Sequence, residues 1–217
     1  VTEFRMKRIL LLNIGNTHTQ WGWGGSDGDI SDLGECGTAA WLSRPALLPE
    51  SSDMVWAASV VPEARRKLAA GYYSDLHWVE AATAMAAGVN FHRVDTTTLG
   101  ADRIANAAAL LDYPLPAAAF DCGTAVTLEM VDATREFAGG AIAPGRRLWR
   151  RALAAGTAAL PELELRADPP ENLGCNTLDA LALGIDRGAV GMVREWLNVA
   201  RRHGAVTLIA CGGDADF

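Results

Sequence analysis

Only four cysteines occur in 217 residues, and none of them forms a C-x-x-C pair. Cys36, Cys122, Cys175 and Cys211 are widely scattered, with no histidine at metal-ligand spacing. Neither a disulfide framework nor a zinc site is expected, and reduced intracellular thiols are the simplest reading. Long apolar runs are also missing. None approaches the roughly 20 residues of a membrane helix, and Val1-Thr-Glu-Phe-Arg5 lacks a charged region leading into an apolar signal core. The expectation is a soluble, cytoplasmic protein with no membrane partner. Basic charge is in deficit, with 19 Lys and Arg against 26 Asp and Glu and a net charge of −7. A broad nucleic-acid surface needs clusters of Lys and Arg to neutralise phosphates, so no nucleic-acid partner is expected. The P-loop pattern G-x-x-x-x-G-K-[ST] is absent as well. At the termini, Val1 stands where Met is usual, and Phe217 follows shortly after an apolar strand and a Gly-Gly turn, where an α/β chain would normally continue into a helix. A trimmed chain is therefore an expectation.

The sequence does contain one local pattern twice, an apolar run that ends in a small polar loop. It occurs as Ile9-Leu-Leu-Leu-Asn13-Ile-Gly15-Asn16-Thr17-His-Thr19 and as Ala117-Ala-Ala-Phe-Asp121-Cys-Gly123-Thr124-Ala-Val-Thr127. Each copy reads as a buried strand that turns at glycine into a second strand. Glycine lets a ligand approach the backbone, while hydroxyl, amide and N–H groups can wrap phosphate oxygens. One such loop per half suggests a clamp around a nucleotide. Half of the residues are apolar, enough for a substantial core, and the duplication favours two related α/β halves over one doubly wound sheet.

Along the chain, Arg8 to Asn13 and Thr17 to Trp23 read as hairpin strands closed by the turn from Gly24 to Asp29. Thr38 to Arg44 is a short helix, Met54 to Ser59 a strand, and Pro62 opens a second helix. His77-Trp-Val79 and Val89-Asn-Phe91 are weaker strand candidates. A helix is expected from Gly100 to Leu111 and an arginine-rich one from after Gly145 to Ala155. Asn176 to Arg202 reads as one long apolar-faced helix or two abutting ones, and Val206 to Ala210 is the last strand. The scattered tryptophans are expected to pack cores.

Several motifs carry chemistry or admit a plainer reading. Gly15-Asn16-Thr17 suits a phosphate loop or an ordinary hairpin turn. Asp121 ends a strand that otherwise reads as buried, so its charge needs a cation or several donors. Mg²⁺ or a monovalent cation bridging a nucleotide phosphate would serve. Asp102 and Arg103 open a helix: Asp102 either complements the helix dipole or accepts the proton of a substrate hydroxyl, while Arg103 can hold an anionic or hydroxylated substrate. Gly139-Gly-Ala-Ile-Ala-Pro-Gly145 and Thr157 are ambiguous in isolation, and His18 beside the first loop reads as structural. Arg146, Arg147, Arg150 and Arg151 are expected to form a solvated or inter-subunit face.

Taken in order, Asn13-Ile-Gly-Asn-Thr17, Ala58-Ser-Val-Val-Pro62, Leu99-Gly-Ala-Asp-Arg103, Asp121-Cys-Gly-Thr124, Gly139 to Gly145, Thr157-Ala-Ala-Leu-Pro161, Asn176-Thr177 and Gly212-Gly213 resemble the motif series of type III pantothenate kinases. The series spans nearly the whole chain. The resemblance implies two ribonuclease H-like (actin-like) domains with ATP bound in the cleft between them, here 1–96 and 97–217. It implies phosphorylation of pantothenate in the first step of coenzyme A synthesis, by a homodimer using Mg²⁺ and a monovalent cation, K⁺ or NH₄⁺. By motif, Asp102 resembles the general base, and Gly100 and Arg103 resemble substrate contacts. Thr157 would line the pantothenate pocket from the dimer partner. Asp121 resembles the cation ligand, Gly123 and Thr124 hold phosphates, and Asn13, Gly15, Asn16 and Thr17 form the first phosphate loop. The family's first loop normally begins with Asp; Asn13 keeps the shape and an acceptor oxygen but not the charge that helps hold hydrated Mg²⁺. The rival expectation is a nucleotide-binding accessory or regulatory protein that kept the fold with weakened transfer.

Overall fold

The computed structural model describes residues 8–25, 28–50 and 53–217. The chain divides into two compact units, Val1–Gly88 with Asp95–Ala108, and Val89–Val94 with Ala109–Phe217.

The first unit is built on a five-stranded sheet ordered β3-β2-β1-β4-β5. Strand β1 (Ile9–Ile14) pairs antiparallel with β2 (His18–Gly24), which pairs antiparallel with β3 (Ile30–Gly37). On its other edge β1 runs parallel to β4 (Val55–Ser59), and β4 runs parallel to β5 (Leu76–Trp78). The alternation of β1 sends Leu10, Leu12 and Ile14 into a core shared with Val55, Ala57, Trp41 and Leu68. Each fully buried side chain of this size contributes about 1.5–3 kcal/mol. The covering helices are short: α1 (Thr38–Ser43), α2 (Pro62–Ala69) and α3 (Ala81–Ala86). Pro62 occupies the first turn of α2, where its missing N–H costs nothing. A capping box formed by Glu80 and Thr83 starts α3. The first turn of α4 (Ala101–Ala109) carries the acid Asp102, and α4 buries Ala101, Ile104 and Ala107.

The second unit repeats the strand order with one strand fewer, β8-β7-β6-β9. Here β6 (Ala117–Cys122) pairs antiparallel with β7 (Ala125–Val131), β7 antiparallel with β8 (Phe137–Pro144), and β6 parallel with β9 (Thr207–Cys211). Asn176 caps α6 (Thr177–Arg202) by accepting the Asp179 N–H at 3.0 Å, so Asn176 to Arg202 forms one continuous helix. Met192, Val193, Trp196 and Leu197 on α6 pack against Ala118, Phe120, Val126, Leu128 and Met130 of the sheet. The remaining helix, α5 (Arg146–Gly156), follows β8 directly.

Four features depart from the sequence reading. Strand β3 and helix α3 lie where no element is expected, and the turn from Gly24 to Asp29 lies partly outside the described residues. Val89 to Phe91 forms no strand but a single bridge, Asn90 to Glu136, which ties this segment to the second unit. Helix α4 packs with the first unit, whereas a cut at 96/97 would place it in the second. Finally, the arginines of α5 do not make one solvated face. Arg147 and Arg151 are exposed, but Arg146 and Arg150, four residues apart on one side of the helix, are buried because acidic partners meet them inside the unit.

Candidate active site

In the first unit the motifs gather at the carboxyl ends of the parallel strands β1 and β4, where open α/β sheets bind ligands. The Val60 N–H donates to the Ile14 carbonyl at 3.2 Å, joining the chain after β4 to the end of β1. A side chain at Gly100 would sit 3.5 Å from Val60 Cγ1, so the segment opening α4 reaches the same corner. Asn13 and Asn16 are exposed there, Gly15 and Thr17 half-buried.

The loop after β1 is held from below by a relay of hydroxyls that the sequence reading missed. Trp41 Nε1 donates to Thr19 Oγ1 at 2.7 Å, and Thr38 Oγ1 donates to the Gly15 carbonyl at 2.7 Å. Since the Thr38 proton is committed to Gly15, the 2.9 Å bond between the two threonines must run from Thr19 to Thr38. All three side chains are buried, so each bond replaces one that water cannot supply. The Gly15 N–H is also occupied, donating to the His18 carbonyl at 3.0 Å. A signal was present in the sequence: two threonines and a tryptophan at positions that a strand and a helix bury together.

At the start of α4, Asp102 Oδ1 accepts the backbone N–H of Arg103 at 2.8 Å. This folds the carboxylate back over Gly100 so closely that a Cβ there would lie 2.4 Å from Oδ1. Gly100 is thus required by the carboxylate's position. Beside it lies a cleft of about 490 Å³ lined by Ser59, Arg65, Glu80, Thr96, Leu99 and Gly100, among others. Arg65 is ion-paired with Glu80 and stacks over Trp78, its guanidinium carbon 4.5 Å from the ring centroid.

In the second unit the turn between β6 and β7 carries Asp121, Gly123 and Thr124, and two other loops press on it. The Gly145 N–H donates to the Thr124 carbonyl at 2.9 Å, and a Cβ at Gly145 would fall 2.1 Å from the Gly123 carbonyl oxygen. Gly212 has φ +90°, and a Cβ there would lie 2.6 Å from both Asp121 Oδ1 and the Cys122 carbonyl oxygen. Only glycine satisfies both the backbone conformation and the close approach. Asp214 donates its N–H to the Cys122 carbonyl at 2.9 Å.

The register places Asp121 opposite Thr127 on one side and Cys211 on the other. By strand alternation, the wholly buried Glu129 shares the face of Asp121 and Thr127, away from α6, and accepts the Thr127 hydroxyl at 3.1 Å. Burial, and after it the charges of Asp121, Cys122 and Glu129, pushes the Cys211 thiol up to about 12. Burial also raises the Cys122 thiol, with Asp121 and Asp214 adding to it. Both thiols are therefore protonated near neutrality. Among the described residues no group of three or more His, Cys, Asp or Glu side chains forms a metal cage. Carboxylates that form no such cage suit an ion that arrives with phosphate oxygens and water as its other ligands.

Thr157 is exposed at the carboxyl end of α5, where its hydroxyl donates to the Leu153 carbonyl at 2.8 Å and accepts the Leu160 N–H at 3.3 Å. His18 is exposed at the start of β2. No described helix is long and apolar enough to cross a membrane.

Comparison with known proteins agrees with this arrangement. A family model for type III pantothenate kinase matches residues 9–199. A type III pantothenate kinase of Streptomyces avermitilis is 32% identical over 94% of this chain and 86% of its own length. One from Thermus thermophilus is 38% identical over 73% of this chain and 65% of its own. One from Thermosynechococcus vestitus is 42% identical, over 55% of this chain and 48% of its own. Among solved structures, a Campylobacter jejuni protein described as a Baf-family transcriptional activator superposes with a TM-score of 0.59 at 16% identity, covering 92% of this chain and 90% of that one. Component A of the Acidaminococcus fermentans (R)-2-hydroxyglutaryl-CoA dehydratase gives 0.50 at 13% identity, covering 97% and 84%. At such identities the likeness is one of fold, an α/β fold of two actin-like domains. The family match over most of the sequence, with its motifs gathered at the strand ends, places this chain in the type III pantothenate kinase family.

Proposed function

We infer that the protein transfers the γ-phosphoryl group of ATP to the hydroxyl of pantothenate, with Asp102 as the base. The observation that carries the reading is the Asp102 carboxylate, fixed through Oδ1 by the Arg103 N–H and seated against Gly100 beside a cleft. That bond leaves Oδ2 as the oxygen we assign to the acceptor hydroxyl. A base held in place before substrate arrives avoids reorganisation during the reaction. The Arg65–Glu80 ion pair and the hydroxyl of Thr96 in the cleft suit a polar, hydroxylated substrate, with Gly100 and Arg103 contributing contacts.

Phosphoryl transfer depends mainly on positioning and neutralisation of charge. The first unit supplies the loop of Asn13, Gly15, Asn16 and Thr17. The second supplies Gly123 and Thr124, whose turn is shaped by Gly145 and Gly212. We assign Mg²⁺ to the nucleotide phosphates, where it neutralises developing charge. A monovalent cation, K⁺ or NH₄⁺, would be held at Asp121, whose half-buried carboxylate stands near the end of β6 beside the Gly123–Thr124 turn. The assembly on this reading is a cytoplasmic homodimer in which Thr157 faces the pantothenate of the other copy. Exposed Leu148, Leu173 and Leu178 of the second unit favour such a contact.

The test is a coupled assay with ATP, Mg²⁺ and pantothenate, in K⁺ or NH₄⁺ and in Na⁺ alone, on the wild type and Asp102→Asn. Cation-dependent formation of 4′-phosphopantothenate, abolished in the variant while ATP still binds, is the expected result. Full activity of Asp102→Asn would remove Asp102 as the base.

A further inference from the structure

The second unit contains a buried ion network that the proposed chemistry does not use. Arg146, 5% exposed, reaches Asp214 through two bonds, Nε to Oδ2 at 3.2 Å and Nη2 to Oδ1 at 2.9 Å. Its Nη1 donates to the Arg166 carbonyl at 3.0 Å and to Asp186 Oδ1 at 3.3 Å. Arg150 donates to the same Asp186 oxygen at 2.7 Å and to the Arg146 carbonyl at 3.3 Å. The Phe217 ring covers Arg146, its centroid 3.3 Å from the guanidinium carbon. Two arginines and two aspartates make the quartet neutral.

As a stability device this network is poor. Arg150 and Asp186 are 1% and 0% exposed, and Arg150 Nε and Asp186 Oδ2 are buried without hydrogen-bond partners. Desolvating four charges and leaving two polar atoms unpaired consumes much of the attraction gained. What the network does achieve is geometric. Arg146 directly follows Gly145, which packs on the carbonyls of Gly123 and Thr124, and Asp214 lies two residues after Gly212, which packs on Asp121 and Cys122. The planar guanidinium therefore fastens together the two loops that enclose the β6–β7 turn from both sides. Because its charge is spent on Asp186 and Asp214, Arg146 does not act as a phosphate ligand itself.

We propose that Arg146, through its two-bond pairing with Asp214, is a positioning residue that holds the Asp121–Thr124 turn in its nucleotide-binding shape. The proposal rests on the reading that this turn holds nucleotide phosphate. Lysine at position 146 keeps the charge but cannot make the paired bonds, and asparagine at 214 keeps the shape but loses the charge.

The experiment compares wild type, Arg146→Lys, Asp214→Asn and Met130→Ala for dissociation of the non-hydrolysable analogue AMPPNP with Mg²⁺, for kcat and both KM values, and for Tm. Met130 is buried toward the far end of β7 and serves as a destabilising control. Arg146→Lys and Asp214→Asn should each weaken AMPPNP binding and raise KM for ATP about 10- to 100-fold. KM for pantothenate should stay within about twofold, since neither Arg146 nor Asp214 lines the cleft beside Asp102. Met130→Ala should lower Tm without moving AMPPNP affinity. Wild-type affinity in the two network variants, or an equal loss in Met130→Ala, overturns the proposal. A wild-type protein that binds AMPPNP but makes no phosphopantothenate refutes the kinase reading while the binding comparison still decides this one; no nucleotide binding at all overturns both.

Discussion

Replacing Gly100 with alanine isolates the geometry of the proposed base from the stability of the fold. The new Cβ would lie 2.4 Å from Asp102 Oδ1, whereas ordinary contact begins near 3.4 Å, so the carboxylate must retreat by roughly 1 Å. The backbone itself is not strained, because Gly100 does not occupy the left-handed region. Its carbonyl still accepts the Ile104 N–H, at 3.1 Å, that opens α4. Alanine before the first turn of a helix costs roughly 0.5 kcal/mol relative to glycine. For a chain of this length that lowers Tm by about 1–2 °C. Displacing a catalytic group by ~1 Å costs about 100-fold in rate, close to 2.7 kcal/mol of barrier. Gly100→Ala should therefore lose about two orders of magnitude in kcat while melting almost where the wild type does. The assay is coupled ADP release with saturating ATP and pantothenate, beside a thermal melt. A kcat within about threefold of wild type would show that the Asp102 position is not what the reaction depends on.

Thr38→Val keeps the side-chain shape but strips the Gly15 carbonyl of its hydroxyl donor and the Thr19 proton of its acceptor. At about 1–3 kcal/mol for each buried group left unpaired, it should cost roughly 2–4 kcal/mol and lower Tm by about 5–15 °C. Thr38→Ser should recover most of this, and a loss under ~1 kcal/mol for the valine variant in urea unfolding would count against the relay. Alkaline pH probes the second unit. The Cys211 thiol is raised to about 12 in the folded state, so its contribution is fully present below the unfolded thiol's pKa, near 8.5–9. It is lost as pH climbs from there towards 12. Unfolding free energy should fall over that window, and Cys211→Ala should flatten the decline; an unchanged slope would place the pH dependence elsewhere.

The readable parts of the sequence were those in which a local pattern and its tertiary use coincide. Strands β1, β4 and β6 are short apolar runs because strands on both sides pair with them and their side chains pack into the core. Helix α6 shows its apolar face at helical spacing because one side of it packs on a sheet. Strand β3 was not readable, since most of its side chains are exposed and it offers no alternation. What secures it is close contact: a Cβ at Gly34 would meet the Trp21 indole at 2.4 Å. A glycine under an aromatic ring is a tertiary fact that the segment Ile30–Gly37 does not display by itself. For α5 the sequence displayed arginines at positions 146, 147, 150 and 151, and helical periodicity splits them into two faces. The signal that one face is buried sits forty residues away, in the single acid Asp186 among the apolar residues Ala182, Ile185 and Ala189 of α6.

The two units solve the same problem with opposite chemistry, and this bears on the proposed cation. Both place a glycine-containing turn at the end of the strand that has a parallel neighbour on one side and a hairpin partner on the other. In the first unit neutral hydroxyls hold the turn, and residue 13 at the strand end is an amide. In the second unit charges hold it, and residue 121 at the equivalent place is an acid. The guanidinium of Arg146 is bonded to Asp214 and Asp186. A phosphate oxygen brought to ~4 Å from Asp121 would meet a repulsion of about 4 kcal/mol per unit charge at an effective dielectric of ~20. That is roughly a thousandfold in affinity, more than the backbone N–H groups of one short turn supply against water. A bound cation at Asp121 reverses the sign of this contribution. On the proposed reading, a monovalent cation at Asp121 would offset the repulsion that this carboxylate puts on a nucleotide phosphate, a contribution that the amide of Asn13 at the equivalent place in the first unit does not make.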